Sequence, residues 1–130
     1  MDPKLTEDQP IYRQLRDRVL AMILEEVLGD GDVLTSVRNV AAEYRLNPLT
    51  VLKGYQELVD EGLVEKKRGR GMFVNDGART KLLKAERQKF LDIEWPKVLA
   101  TIERLDLDVK DLLKQAESKK TSGDFGGENE

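Results

Sequence analysis

A mainly α-helical fold with one small β-hairpin is the architecture that this 130-residue sequence predicts. Apolar residues recur at three- and four-residue steps over most of the chain, and two short β-compatible runs flank a glycine-rich turn. Hydrophobic residues make up 39% and aromatic residues only 5%, so the core is thin. A chain of this size gains from burying more surface against a partner subunit.

The absence of two residue types excludes several functions. Without Cys or His, the chain has no Cys/His zinc site, thiol nucleophile or Ser-His-Asp triad. The longest apolar run has six residues, 19–24, against the ~20 that span a bilayer. We expect a cytoplasmic protein with no catalytic residues, cofactor, metal or membrane partner. The weaker alternative is a metal-dependent enzyme that uses Asp30 and Asp32 or the group Asp106, Asp108 and Asp111.

Residues 1–10 form an N-terminal arm, because Pro3 and Pro10 lie there among acidic neighbours. From Ile11 a helix is predicted that ends before Gly29. Its inward face holds Tyr12, Leu15, Val19, Met22 and Ile23. The stretch 29–32 has the composition of a turn.

Two short helices follow, each with a capping signal. Thr35 or Ser36 can cap the first, and Asn47 caps the second, with Pro48 at its first position and Gly62 at its end. The inward residues of the first are Val37, Val40, Ala41 and Tyr44, and those of the second are Val51, Tyr55, Leu58 and Val59. Two short helices joined by a tight turn form a helix-turn-helix.

A basic hairpin comes next, with runs 63–67 and 72–74 around a turn of arginines and glycines. Lys66, Lys67, Arg68 and Arg70 place four cations in five positions. Helix, capped helix and basic hairpin, in that order, indicate a winged helix-turn-helix domain over residues 11–76. Its second helix fits a major groove, with Leu49, Thr50 and Lys53 directed outward, and its narrow cationic tip suits a minor groove. We therefore expect double-stranded DNA as a partner.

Residues 77–117 are predicted to form a helical dimerisation tail, interrupted at Trp95-Pro96, with Asp108 capping a last helix. Its apolar stripes are too extensive for so small a domain to cover, so pairing with a second copy is expected. The candidate dimer interface is Leu83, Phe90, Leu91, Trp95, Leu99 and Ile102. The alternative is that the tail folds back on its own winged helix. Residues 118–130 have the composition of a disordered tail.

The stretch Gln9–Val74 resembles the DNA-binding domain of GntR-family bacterial transcriptional regulators. The matching pieces are Pro10-Ile11-Tyr12, Gly31-Asp32-x-Leu34, Ser36-Val37-Arg38, Ala41-Ala42, Asn47-Pro48-x-Thr50-Val51, Tyr55-x-x-Leu58, Glu61-Gly62-Leu63 and Arg68-Gly69-Arg70-Gly71-x-Phe73-Val74. Two residues depart from the family pattern: Thr35 stands where a proline is frequent, and Leu52 stands where many members have a basic residue. The short C-terminal part resembles the YtrA-like subfamily.

This resemblance implies a homodimer that binds operator DNA. The DNA-contact positions that it implies are Ser36, Arg38, Asn47, Thr50, Lys53, Arg68, Gly69 and Arg70. The predicted function is therefore a sequence-specific regulator, expected to be a repressor, on a palindromic operator. A winged-helix module for protein interaction is the alternative, favoured by the net charge of −3 and the acidic N-terminal third. A small-molecule effector near Trp95 is left open.

Overall fold

The computed structural model describes residues 5–121 and confirms a mainly helical fold with one antiparallel hairpin. The chain divides into two compact units, Met1–Glu86 and Arg87–Glu130. In chain order the elements are α1 (Ile11–Leu24), α2 (Val37–Tyr44), α3 (Pro48–Asp60), β1 (Val64–Lys67), β2 (Gly71–Val74), α4 (Ala78–Lys89), a π-helical turn (Phe90–Glu94), α5 (Trp95–Arg104) and α6 (Val109–Thr121).

Helix α1 supplies one wall of the core of the first unit. Its buried apolar residues are Leu15, Val19, Leu20 and Ile23. Met22, which was predicted to face inward, is exposed, and Leu20 lies in the core instead. The helix ends at Leu24 because Glu26 takes a left-handed backbone conformation, with φ of 65°.

Both predicted caps of the helix-turn-helix are confirmed. The Ser36 side chain accepts a hydrogen bond from the Asn39 N–H (3.1 Å), and the Asn47 side chain accepts one from the Leu49 N–H (2.9 Å). Pro48 occupies the first turn of α3, where no N–H is needed. Each cap satisfies a backbone donor that the first helical turn leaves free.

Helices α1 and α3 cross in backbone contact at Gly54. A Cβ atom added to Gly54 would lie 2.7 Å from the Tyr12 carbonyl oxygen. Beside this crossing, Arg16 donates from Nε and Nη2 to the two carboxylate oxygens of Glu61, each at 2.9 Å. Although partial burial opposes the charged form, the hydrogen bond and charge of Glu61, with Asp17 and Glu57, raise the pKa of Arg16.

The hairpin pairs Val64 with Val74 and Lys67 with Gly71. Backbone hydrogen bonds also join the free edge of β2 to residues 31–34, where Gly31 N–H donates to the Val74 carbonyl and Leu34 N–H to the Met72 carbonyl, both at 2.8 Å. Part of the segment that was predicted as a turn therefore pairs with β2 and extends the hairpin by a third, strand-like segment. Asp32 accepts a local hydrogen bond from the Gly29 N–H, and Asp30 accepts one from the distant Gly77 N–H, just before α4.

The predicted interruption at Trp95-Pro96 is wrong, because the chain stays helical from Ala78 to Arg104. Pro96 lacks an N–H, and its ring would crowd the carbonyl one turn earlier. The π-helical turn before it absorbs this conflict, with the Trp95 N–H bonded to the Phe90 carbonyl five residues back.

The last helix is capped as predicted: the Asp108 carboxylate accepts from the Lys110 N–H at 2.8 Å. Helix α6 extends through residues 118–121, which were predicted to be disordered. Two lysines in its final turn, Lys119 and Lys120, complement the negative end of the helix dipole. The remainder of that predicted tail, 122–130, lies outside the described residues. Over residues 5–121 no helix is long and apolar enough to cross a membrane.

Candidate nucleic-acid interface

The outward face of α3 combines polar and apolar side chains. Because Val51, Tyr55 and Leu58 are buried, the opposite side of the helix faces solvent. The exposed residues there include Leu49, Leu52, Lys53 and Gln56. Thr50, which was predicted to project outward, is half-buried.

The two capping residues keep hydrogen-bond donors available. Ser36 and Asn47 are exposed, and each uses a side-chain oxygen as acceptor for its own helix. Among the described residues, no acceptor is found for the Ser36 hydroxyl proton or the Asn47 amide protons, so these donors remain for a ligand. Both helix starts therefore offer donors of the kind that phosphate oxygens accept.

Arg38 and Lys53 lie in different local environments. Arg38 is exposed on α2, and no ion pair of Arg38 is found in the part of the chain that the structure describes. The Lys53 ammonium lies 4.1 Å from the centroid of the Tyr12 ring, a cation–π contact that holds it at the α1 side of α3. Nothing in the helical pattern predicted this role of Tyr12, because it depends on how α1 and α3 pack.

The tip of the wing is an exposed, cationic turn. Arg68, Gly69 and Arg70 are exposed, and Gly69 has φ of 74°, a conformation that favours glycine. Phe73 on β2 supports the cations: the Lys67 Nζ lies 4.8 Å and the Arg70 Cζ 5.9 Å from its ring centroid. This role of Phe73 was not predicted from the sequence, although a hairpin register that pairs Lys67 with Gly71 places Phe73 diagonally beside Lys67.

One groove is lined by residues of three elements, and some of them are predicted DNA contacts. It encloses about 330 Å³ between the start of α2, the outward side of α3 and the wing. Ser36, Leu52, Gly69 and Arg70 are among its lining residues. Lys53 lies instead in a neighbouring groove along α3, with Leu49 and Gln56. Of the predicted contacts, Ser36, Gly69 and Arg70 thus line the first groove and Lys53 the second, whereas Arg38, Asn47, Thr50 and Arg68 line neither.

A buried hydroxyl fixes the start of α2 against α3. Tyr55 donates from its phenol to the Thr35 carbonyl at 2.7 Å. Burial raises the pKa of Tyr55 to about 12, so the group stays a neutral donor at physiological pH. Ser36 and Arg38 are therefore held in a defined position relative to α3.

Other cations of this unit are engaged away from the wing. Arg13 and Arg16 pair with Glu57 at 3.4 and 3.6 Å, which ties α1 to the C-terminal half of α3. Among residues 5–121, no group of three or more Asp or Glu side chains is placed to hold a metal ion. The surface around α3 and the wing offers cations, donors and apolar groups, which is the chemistry of phosphate and base-edge contact.

The predicted interface residues of the tail are partly exposed. Phe90, Leu91 and Leu99 are 48%, 57% and 41% exposed in the single chain. Trp95 is half-buried with its ring 6.2 Å from that of Phe90, and Leu83 is half-buried on α4. Ile102, by contrast, is buried within its own chain.

Known proteins share both the fold and the sequence pattern. The family model described as bacterial regulatory proteins, gntR family, matches residues 11–74. The HTH-type transcriptional repressor YtrA of Bacillus subtilis is 32% identical, over 85% of this chain and 93% of that protein. A transcriptional regulator from Oenococcus oeni has a similar structure, with a TM-score of 0.69 at 25% identity over 91% of this chain and 97% of that one. YtrA from Sulfolobus acidocaldarius, a GntR-family transcription factor, has a TM-score of 0.53 at 32% identity over 69% of this chain and 95% of that one.

Proposed function

Because the chain belongs to the GntR family of bacterial regulatory proteins, and is thus a transcription regulator with a DNA-binding helix-turn-helix rather than an enzyme, we propose that it is a cytoplasmic repressor. In this proposal a homodimer binds a palindromic operator, with α3 in the major groove and the wing in the adjacent minor groove. Repression is proposed because the Bacillus relative is described as a transcriptional repressor.

The observation that carries the proposal is the shared groove between α2, α3 and the wing. Ser36, Arg70 and the outward side of α3 border this groove. A protein that contacts backbone and bases together needs phosphate-binding donors close to a helix that can enter the major groove. Here one short domain brings both together.

We assign roles to the predicted contacts from their surroundings. Ser36 and Asn47 donate to phosphate oxygens, and Arg38 binds a phosphate or a base edge. Lys53 and Thr50 approach the DNA from the α1 side of α3. Arg68, Gly69 and Arg70 form the tip that enters the minor groove, whose negative potential attracts arginine.

The dimer is proposed from the exposed apolar surface of the tail. Phe90, Leu91 and Leu99 would lose much of their exposure to water against a second copy. Two-fold pairing then presents two α3 helices to half-sites about one DNA turn apart (~34 Å), or a multiple of it.

Selection of bound fragments from the source genome, followed by footprinting, tests this function. We expect enriched fragments with a two-fold symmetric protected site. Footprints without symmetry would contradict the dimeric arrangement, and equal retention of random and genomic fragments would contradict sequence-specific binding.

A further inference from the structure

Two leucines are exposed side by side on the outward face of α3. Leu49 is 70% exposed and Leu52 is 38% exposed. They are three positions apart, so they lie on the same side of the helix. Leucine has no hydrogen-bonding group, so on a helix that is proposed to enter DNA its side chain can make only apolar contacts.

We propose that Leu49 and Leu52 contact thymine C5-methyl groups in the major groove. They would thereby select A·T pairs at the operator positions that face them. This inference deepens the proposed function and rests on α3 lying in the major groove.

The surroundings of the two leucines place them at the centre of the proposed surface. Leu52 lines the groove beside the wing and also the groove along α3, whereas Leu49 lines the second of these. Both therefore lie where base edges, rather than the flanking phosphates, are expected. The neighbouring Lys53 and Gln56 supply the polar part of the same face.

The groups that the bases present in the major groove indicate which base the leucines contact. Among the groups that the four bases present there, the thymine methyl is the apolar one, and apolar side chains are known to contact it. An A·T pair presents this methyl beside its polar groups, whereas the groups that a G·C pair presents are all hydrogen-bond acceptors or donors, so the methyl is what distinguishes the two pairs for leucine. An A·T pair with its methyl toward α3 is the base pair that suits leucine best.

Substitution of deoxyuridine for thymidine removes only the methyl group and so tests the inference directly. The full chain first selects its operator from random duplexes. Each thymine of that operator is then replaced singly by uracil, and Kd is measured by fluorescence anisotropy. We expect Kd to rise about fourfold at one or two positions of each half-site, the change that loss of one buried methyl-sized group produces.

Variants connect those positions to the leucines. For Leu52→Ala or Leu49→Ala, we expect the effect of uracil to disappear at the position that each residue contacts. Val27→Ala, at an exposed apolar residue outside both grooves, is the control and should keep the effect. Because all three side chains are exposed, circular dichroism and thermal unfolding should show folded variants.

The possible failures are distinguishable. If uracil substitution leaves Kd unchanged everywhere while the operator is still preferred over random DNA, the leucine assignment is wrong and the proposed function stands. If uracil raises Kd equally in the wild type and both leucine variants, other residues contact the methyl groups and the assignment is again wrong. If no duplex is preferred, the proposed function itself fails.

Discussion

Gly54 shows how one residue positions the recognition helix. It is buried at the crossing of α1 and α3, where an added Cβ would lie 2.7 Å from the Tyr12 carbonyl oxygen. That contact involves backbone, so neither helix can relieve it by turning a side chain. The crossing in turn places Tyr12 beside Lys53.

We predict that Gly54→Ala lowers the free energy of unfolding by ~1–3 kcal/mol, because overpacking outweighs the better helix propensity of alanine. Urea denaturation gives this value. Gly29→Ala is the control, since its Cβ would meet only the Asp32 carboxylate at 3.8 Å, and a change within ~0.5 kcal/mol is expected. A Gly54→Ala protein as stable as the wild type would contradict the close crossing.

Tyr55 provides a second prediction at the residue scale, on the pH dependence of stability. Its pKa is about 12 in the folded protein, against ~10 in the unfolded chain. Between these values the folded state holds a proton that the unfolded state has lost, so stability falls as pH rises. Tyr55→Phe lacks this group, and we expect its stability to decline less steeply, by on the order of 2 kcal/mol at pH 12.

The same variant is expected to be less stable than the wild type at neutral pH by ~1 kcal/mol, because the Thr35 carbonyl loses its donor. Urea unfolding of both proteins from pH 7 to 12 measures the two effects. Parallel stability curves above pH 10 would show that Tyr55 is not the titrating group that we infer.

At the scale of elements, features with local causes were predictable from sequence and features with tertiary causes were not. The Ser36 and Asn47 caps depend on neighbouring residues, so their signals lie in the sequence itself. The pairing of residues 31–34 with β2, and the crossing at Gly54, depend on segments distant in the chain. The π-helical turn before Pro96 was missed because proline alone is compatible with either a break or an accommodated helix.

The candidate site follows the same division. The basic wing tip and the start of α3 were predictable because composition and capping mark them. The groove that joins Ser36, Leu52 and Arg70, and the ring of Phe73 beneath the wing cations, required the packed structure. Exposure of individual leucines on α3 depends equally on which helix covers them.

The wing is predicted to contribute affinity through phosphate charge. Arg68→Gln combined with Arg70→Gln should weaken binding to operator and to random DNA, and should lower the slope of log Kd against log salt by about 4, because each subunit of the proposed dimer loses two cations. Titrations at several salt concentrations measure both quantities. Lys114→Gln combined with Lys120→Gln changes the net charge equally on α6, and its slope should stay that of the wild type. An unaltered slope in the wing variant would remove the wing from the interface.

At the scale of the whole molecule, the net charge indicates that attraction to DNA depends on local groups of cations. The exposed apolar surface favours assembly with a second copy. The 22 lysines and arginines are outnumbered by 25 acidic residues, so the net charge of −3 opposes attraction to DNA at long range, and the cations of the proposed interface act locally. The exposed apolar residues of the tail are the basis for proposing a dimer.

We predict that Leu91→Glu converts the proposed dimer to a monomer, because the interface would have to bury an unpaired carboxylate where it now buries an apolar side chain. Sedimentation velocity measures the assembly state. Val27→Glu adds the same charge at a residue of similar exposure outside the tail and should remain dimeric. A Leu91→Glu protein that sediments as a dimer would place the interface elsewhere.

The most direct test of sequence-specific binding by a dimer compares two duplexes at one salt concentration. One carries the selected palindrome, and the other carries the same sequence with one half-site scrambled. We predict that scrambling raises Kd for the full chain at least tenfold. Each mismatched base pair costs ~1–3 kcal/mol of binding free energy, and a scrambled half-site contains several of them. Equal affinity for the two duplexes and for random DNA would contradict sequence-specific binding by a dimer.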